Sequence, residues 1–198
     1  FSMESNHQAS PNATITLKAK KDVSIVRRHP WLFSGAIKNI QGDPASGDLV
    51  RVVANKGRHL GYGHFSPGNS IAVRMLSFNE EVPDAAWWEE KVSQAVALRK
   101  ELGLLQGETQ NTCRLIHAEG DGLPGLIVDY YDGVIVIQTH SMGMQLAVAD
   151  IVEGLKNALG SAVKGIYDKS AKVLARNGNK NHEDGWLYGS DLTEGAHS

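Results

Sequence analysis

The adjacent arginines Arg27 and Arg28 are the residues of this chain best suited to bind phosphate. A guanidinium group is planar, keeps its charge and can hold two phosphate oxygens at once, which the ammonium group of lysine cannot do. Trp31 and Phe33 follow closely, and aromatic rings can stack on the bases of single-stranded RNA. The arginines therefore indicate RNA binding, whereas for the two rings we favour a structural role as anchors of a short helix in the core.

Cys113 and His117 are candidates for a nucleophile and its base. They lie four residues apart on a predicted strand, so we expect their side chains to point to the same face. A thiol next to an imidazole can act as an activated nucleophile. The sequence offers no third group to orient the histidine and no oxyanion donor, so we predict a structural role, with a hydrolytic Cys–His site as an alternative.

The glycines Gly120, Gly122 and Gly125 match the letters of a dinucleotide-binding fingerprint. That fingerprint needs a helix immediately after it, because the helix N-terminus holds the pyrophosphate. Here Pro124 and the apolar residues 126–130 predict a strand instead. We therefore predict no cofactor site in this loop.

Charge is distributed very unevenly along the chain. Residues 14–78 carry ten Lys or Arg against three Asp, a net charge of +7, whereas residues 79–198 carry a net charge of −8. Glu4 accounts for the remaining unit of the total charge of −2. Contacts of Lys and Arg with phosphates supply most non-specific affinity for nucleic acid, so the basic part is predicted to face nucleic acid.

Composition excludes several other classes of protein. The 198 residues suffice for two small domains, and no stretch approaches the roughly 20 apolar residues that cross a bilayer. No signal-peptide pattern is present. The single cysteine, Cys113, excludes an internal disulfide framework and fits a reducing compartment. We expect a cytoplasmic protein that does not contact membranes.

Short strands separated by turns are predicted throughout residues 14–78. The apolar patterns predict strands that start at Thr14, Ala36, Leu49, His59 and Ile71. Pro30 restricts the residue before it, so any helix preceding it is short and ends near His29. Five or six strands in about 65 residues are typical of a small barrel or an open β-roll.

The pattern changes after residue 79. Asp84 is predicted to cap a helix that ends at Gly103 or Gly107. Its core-facing side chains are predicted to be Trp88, Val92, Ala95, Val96 and Leu102. A hairpin with a primed turn at Asp132-Gly133, a helix over 142–159 and a strand over 163–167 are predicted to follow. Helix, hairpin, helix and strand make a small α+β domain.

The basic region resembles a PUA domain, a fold that binds RNA. The resemblance starts with Arg28–Ile37 (RHPWLFSGAI) and continues through Leu60–Pro67 and Ile71–Arg74. It implies a β-rich PUA barrel over residues 14–78.

The second region is similar to the middle domain of a family of bacterial enzymes. Arg114–Asp129 (RLIHAEGDGLPGLIVD) resembles that domain in large-subunit ribosomal RNA cytosine-C5 methyltransferases of the methyltransferase I type. Ile166–Ser170 and Gly185–Gly189 continue in the family's order. In that family a third, Rossmann-type domain binds S-adenosylmethionine and carries the catalytic cysteine.

The resemblance implies a domain layout. We expect a tag or disordered segment over 1–13, the PUA domain over 14–78, the α+β middle domain over 79–175, and over 176–198 a linker towards a catalytic domain that this chain lacks. No catalytic, cofactor-binding or metal-binding residue is assigned, and Cys113 lies outside the expected catalytic domain. S-adenosylmethionine would belong to the parent enzyme.

Eight residues of the basic region are predicted to contact ribosomal RNA. They are Lys20, Arg27, Arg28, Ser34, Gly35, Lys38, Arg58 and His64. Gly35 would let the backbone come close either to a neighbouring strand or to a phosphate. A lone histidine such as His64 is more often structural, and the stretch 61–68 around it lacks the spacing of a nucleotide phosphate loop. The eight histidines do not have metal-ligand spacing.

The resemblance therefore predicts the RNA-recognition portion of an S-adenosylmethionine-dependent methyltransferase, inactive by itself. The alternative is a stand-alone PUA-type module that binds RNA or associates with ribosomes without catalysis. The oligomeric state is left open.

Overall fold

The computed structural model describes residues 10–105 and 112–189. The fold divides into two units, the first ending at Trp87 and also including Ser141–Ala147. The second unit contains Trp88–His140 and the residues from Val148 onward. Most of the expected tag (residues 1–9), the candidate helix stop Gly107 and the last part of the expected linker lie outside the described residues.

Six strands form a single sheet in the first unit. They are β1 (Ala13–Leu17), β2 (Trp31–Phe33), β3 (Ile37–Gln41), β4 (Leu49–Val53), β5 (His59–Phe65) and β6 (Ile71–Ser77). The pairing order is β2-β6-β5-β4-β1-β3, with β1 and β4 parallel and the other pairs antiparallel. β2 and β3 are edge strands of this ladder, so among the described strands the sheet is open, whereas a closed barrel would need them to pair.

The core of the first unit lies on one face of this sheet. In β1 the apolar residues Ala13, Ile15 and Leu17 are buried while the threonines between them are half-buried, as strand alternation requires. The helix α1 (Val23–Val26) adds Ile25, which is 1% exposed. The core is thus built from single faces of short elements.

The prediction that Trp31 and Phe33 anchor the core is wrong. These residues form a strand, so Leu32 points into the core and its two neighbours point away from it. Leu32 is 1% exposed, whereas Phe33 is 49% exposed and Trp31 is half-buried.

At two positions of β5 the neighbouring strand β6 leaves no room for a side chain, and both positions are glycines. A Cβ atom at Gly61 would overlap the carbonyl oxygen of Ser77, and one at Gly63 would overlap that of Arg74. The glycines interrupting this predicted strand are therefore explained by backbone packing.

Five strands form the sheet of the second unit. They are β7 (Thr112–His117), β8 (Leu126–Tyr131), β9 (Val134–Thr139), β10 (Gly165–Asp168) and β11 (Gly185–Tyr188). The pairing order is β11-β10-β9-β8-β7, with β9 and β10 parallel. Asp132 (φ 47°) and Gly133 (φ 92°) form the primed turn that joins β8 to β9, as predicted.

The helix α2 (Ala85–Glu101) has the predicted cap, since the backbone N–H of Trp87 donates to Asp84 Oδ1 at 2.9 Å. It ends before Gly103, which has a φ of 72° and donates its N–H to the carbonyl of Lys100. The predicted core residues of α2 are buried except Leu102, which lies past the helix end and is 63% exposed.

The single helix predicted over 142–159 is in fact two helices, α3 (Met142–Leu146) and α4 (Val148–Leu159). They are interrupted at Ala147, where α3 ends. α3 belongs to the first unit because Gly143 packs directly on the ring of His64 in β5.

The region expected to be a linker contains regular structure. The helix α5 (Ala171–Arg176) ends at the first residue of this region, and β11 pairs antiparallel with β10. The ring of Trp186 packs edge-on against Tyr167, with centroids 5.2 Å apart, which explains the apolar residues there. In the described parts of the chain, no helix has both the length and the apolar composition to cross a bilayer.

Candidate nucleic-acid interface

A cleft of about 680 Å³ lies next to α1 in the first unit. It is lined by Lys20, Lys21, Val23, Ser24, Arg27, Arg28, His29 and Pro30. Four of these described lining residues are basic and none is acidic. α1 is only one turn long, so the two lysines before it and the two arginines after it lie on one cleft. The structure thus brings together three of the predicted residues, Lys20, Arg27 and Arg28.

Two of these basic residues have a backbone conformation that favours glycine. Lys20 has a φ of 64° and Arg28 a φ of 61°. Arg28 directly follows the C-cap of α1, and its backbone N–H donates to the carbonyl of Ile25 at 2.8 Å. The next backbone N–H, that of His29, donates to the carbonyl of Ser24. Glycine is usual at this position because a side chain there costs energy. Lys20 and Arg28 therefore occupy backbone conformations in which most side chains are unfavourable, and such conformations cluster at binding sites.

The other predicted residues occupy different parts of the first unit. Arg58 is exposed and pairs with Asp22 at the start of α1, with Nη2 2.9 Å from Oδ2. Lys38, on edge strand β3, donates to Asn55 Oδ1 at 3.0 Å. Of the predicted residues outside the cleft, Arg58 therefore has a contact at α1, whereas Lys38 contacts a different turn.

Ser34 and Gly35 lie in an exposed turn between β2 and β3. The carbonyl of Gly35 accepts a hydrogen bond from Lys18 Nζ at 2.9 Å. No heavy atom lies within 4 Å of the point where a Cβ of Gly35 would stand. The fold itself does not require glycine at this position, so the prediction of a close backbone approach by RNA stays open to test.

His64 differs from the other predicted residues because it is only 7% exposed. Its ring lies against Gly143, so closely that a Cβ on that glycine would overlap it. His64 therefore supports the packing of α3 on β5 and is not part of the exposed basic surface.

Sequence reasoning did not select Lys21 and His29, which also line the cleft. Both are sequence neighbours of selected residues, Lys20 and Arg28. A search for basic residues on both flanks of a one-turn helix would have found them.

A buried ion pair in the second unit explains the Gly120–Gly125 loop. Arg99 Nη1 and Nη2 donate to Asp121 Oδ1 and Oδ2 at 2.6 and 2.8 Å, and the backbone N–H of His117 donates to the same carboxylate. Burial raises the pKa of Asp121, but these hydrogen bonds and the charge of Arg99 outweigh it and hold that pKa below its ordinary value.

The residues of this loop do not fit S-adenosylmethionine or a dinucleotide. The loop leads into the strand β8, whereas the dinucleotide fingerprint needs a helix that begins directly after the loop. Asp121, which could otherwise bind a ribose, is already held by Arg99.

A buried Ser–Asp–His cluster at the end of β10 has the residue types of a catalytic triad but not its geometry. The hydroxyl of Ser170 donates to Asp168 and accepts the backbone N–H of Thr139, and His182 Nε2 lies 3.0 Å from Asp168. A nucleophilic serine must give its proton to the histidine, and here the carboxylate lies between them. The cluster fixes the loop that carries His182 and makes no nucleophile.

The prediction that Cys113 and His117 share a face is wrong. β7 has a bulge between Arg114 and Ile116, which inserts Leu115 and reverses the alternation. Cys113 pairs with Tyr130 and His117 with Ile127, and these partners lie three residues apart on the regular strand β8, hence on opposite faces.

Cys113 is also unsuited to act as a nucleophile. Burial raises the pKa of the thiol, and the charge of Asp129 adds to this while that of Arg99 opposes it. In residues 10–105 and 112–189, no group of three or more His, Cys, Asp or Glu could hold a metal ion.

A family model and several curated relatives match this chain, and the family model covers its basic region. A family model described as a PUA-like domain matches residues 15–78. Over 143 residues, or 71% of its length, the chain is 44% identical to ribosomal RNA large subunit methyltransferase I of Shewanella frigidimarina. It is 34% identical over 157 residues, or 79% of the chain, to the protein of that name from Klebsiella pneumoniae (strain 342). The chain matches 36% and 38% of these two relatives.

Solved structures with little sequence identity share the fold. One from Streptococcus mutans, assigned as an S-adenosylmethionine-dependent methyltransferase, has a TM-score of 0.71 at 15% identity and covers 89% of this chain. A second, assigned as a methyltransferase and complexed with S-adenosylhomocysteine, has a TM-score of 0.72 at 16% identity. This chain covers 43% and 42% of the two structures.

Proposed function

We propose that this chain is the RNA-recognition portion of an S-adenosylmethionine-dependent methyltransferase that makes 5-methylcytosine in large-subunit ribosomal RNA. Its homology to ribosomal RNA methyltransferases supports the enzyme class, and its PUA-like domain supports RNA as the partner. The observation that carries the proposal is the cleft at α1, where Lys20, Lys21, Arg27 and Arg28 converge.

The cleft is suited to a phosphate backbone for three reasons. Four Lys and Arg side chains line an open cleft of about 680 Å³, and none of its described lining residues is acidic. Arg27 and Arg28 can each hold two phosphate oxygens. Lys20 and Arg28 adopt costly backbone conformations, and such cost is commonly tolerated where binding requires it. Phosphate contacts fix the position of the RNA on the protein but do not read its sequence.

The described residues of the second unit supply no chemistry for methyl transfer. The thiol of Cys113 has a raised pKa, Asp121 is held by Arg99, and Ser170 is buried. S-adenosylmethionine would supply the methyl group when bound, and we assign none of the described residues to its binding or to the chemical step. The role of this chain is then to hold the RNA.

The test uses the protein encoded by the complete reading frame and large-subunit ribosomal RNA lacking the modification. Transfer of labelled methyl groups is followed, and the modified nucleoside is identified by mass spectrometry. Replacing both arginines (Arg27→Gln with Arg28→Gln) should raise KM for RNA about tenfold while kcat stays the same, because these side chains bind the RNA and take no part in the chemical step.

The product distinguishes the possible outcomes. 5-Methylcytosine supports the proposal, and a methyl group on any other atom contradicts it. RNA binding without methylation would instead identify a stand-alone RNA-binding module.

A further inference from the structure

We propose that Phe33, backed by Trp31 and His29, is a stacking platform for one base of single-stranded RNA. This aromatic platform, made of those three side chains, lies next to the basic cleft. The inference rests on the proposed RNA-binding function and adds a contact to the base itself, beyond the phosphate contacts.

Phe33 is the most exposed phenylalanine among the described residues, because β2 points Leu32 into the core and Phe33 away from it. Of the three described phenylalanines, Phe65 is buried and Phe78 is half-buried, whereas Phe33 is 49% exposed. Single exposed apolar side chains are common on protein surfaces, so the exposure of Phe33 matters because its ring belongs to a cluster of three rings that borders the basic cleft.

The three rings are arranged as a cluster. The ring centroid of His29 lies 5.9 Å from that of Trp31, nearly perpendicular at 76°, and 6.5 Å from that of Phe33. The His29 ring is also held by the backbone, since its Nδ1 accepts the N–H of Trp31 at 3.1 Å. Side chains fixed in this way lose little entropy when a base stacks on them.

His29 connects the aromatic platform to the cleft. It contacts both aromatic rings, and it also lines the cleft together with Arg27 and Arg28. A nucleotide whose phosphate lies on the arginines would therefore have its base within reach of these rings.

The platform is accessible from one side of the sheet. β2 is an edge strand and pairs only with β6 among the described strands. Duplex RNA keeps its bases stacked on each other and cannot offer one to a ring, whereas an unpaired base can. The aromatic rings beside four cations therefore fit single-stranded RNA.

The test compares three RNA probes of about 12 nucleotides, a size typical of single-strand sites. The first is single-stranded, the second is the same strand with abasic positions throughout, and the third is a perfect duplex. Dissociation constants are measured for the original protein and for Phe33→Leu, which keeps apolar volume but removes the aromatic ring. Tyr131→Leu is the control, because Tyr131 is a similarly exposed ring (48%) on the other sheet.

We expect Phe33→Leu to weaken binding of the single strand by roughly 5- to 100-fold, as the loss of one stacked base does. Binding of the abasic strand and the duplex should be unchanged, and Phe33→Trp should bind the single strand at least as well as the original protein. Tyr131→Leu should match the original protein on every probe.

Equal weakening by Phe33→Leu on all three probes, or none on the single strand, overturns the platform. The arginine variant distinguishes failure of the platform from failure of the proposed function. If replacing Arg27 and Arg28 weakens binding of all three probes while Phe33→Leu changes the affinity for none of them, the phosphate-binding role of the arginines is supported and the platform is refuted. If replacing the two arginines also leaves the affinity for every probe unchanged, the proposed RNA-binding function is refuted.

Discussion

Arg99 and Asp121 form a two-pronged ion pair with distances of 2.6 and 2.8 Å, and their side chains are only 11% and 8% exposed. The pair joins α2 to the turn that leads into β8. Arg99 Nε also donates to the carbonyl of Arg114, so one side chain holds two segments distant in sequence. The glycine-rich loop around Asp121 is therefore a structural joint, although its letters match a nucleotide-binding motif.

Replacing Asp121 with asparagine should destabilise the protein by about 3 kcal/mol, because the charge of Arg99 would stay buried without its partner. Urea unfolding at pH 7 measures this. Asp129→Asn is the control, since its ion pair with Arg114 is more exposed and should be worth about 0–1 kcal/mol. Similar losses for the two variants would contradict the assigned role of the buried pair.

The stabilisation by Asp121 should depend on pH. Its pKa is held below the ordinary value of 3.8, so the folded state favours the charged carboxylate. The contribution is fully present above pH 3.8 and disappears as the pH falls through the lower folded pKa. The difference in unfolding free energy between the original protein and Asp121→Asn should therefore stay constant from neutral pH to about pH 5 and shrink below 3.8. A difference that grows on acidification would refute this.

Two glycine-to-alanine changes should have opposite consequences. Gly143→Ala places a Cβ into the ring of His64 and should cost about 1–3 kcal/mol. Gly35→Ala meets open space and should leave stability within about 0.5 kcal/mol. If RNA approaches the backbone at Gly35, this second variant should nevertheless bind RNA more weakly. Unfolding and RNA titration of both variants check these expectations, and unchanged RNA affinity would remove Gly35 from the interface.

Arg28→Gly should make the protein more stable and bind RNA less well. Its φ of 61° suits glycine, so the change should add about 0.5–1 kcal/mol. Arg27→Gly, at the adjacent cap with a φ of −81°, should give no such gain. Melting temperature and RNA affinity are measured together. Loss of stability in Arg28→Gly would show that the arginine is there for folding.

Cys113 should react slowly with iodoacetamide at neutral pH, because burial raises the pKa of its thiol and keeps it protonated. Mass spectrometry follows the labelling, with the unfolded protein as the reference for a free thiol. Labelling of the folded protein as fast as the unfolded one would restore the hydrolytic alternative.

The sequence was sufficient where local chemistry decides the structure. Asp84 caps α2, and Asp132-Gly133 forms the primed turn between β8 and β9. In each case the residue type itself determines the local backbone structure, either by capping a helix or by adopting a positive φ. Lys20, Arg27 and Arg28 were selected for their charge, and the one-turn helix α1 brings them onto one cleft.

The errors came from interactions that a linear pattern does not contain. The bulge at Leu115 separates Cys113 from His117, although their spacing suggests one face. His64 is buried by Gly143, which lies far away in the sequence. Phe33 looks like a core residue until the strand places Leu32 inward instead.

The salt dependence of RNA binding is the sharpest test of whether the cleft at α1 holds the RNA backbone. Each phosphate of a single strand that the protein no longer neutralises should reduce the slope of log affinity against log salt by about 0.7. The double replacement Arg27→Gln with Arg28→Gln should therefore flatten the slope by about 1.4. Lys172→Gln with Arg176→Gln, which removes two charges from α5, should leave it unchanged. An unchanged slope in the Arg27 and Arg28 variant, or equal flattening in both variants, would contradict the assignment of this cleft as the RNA-binding site.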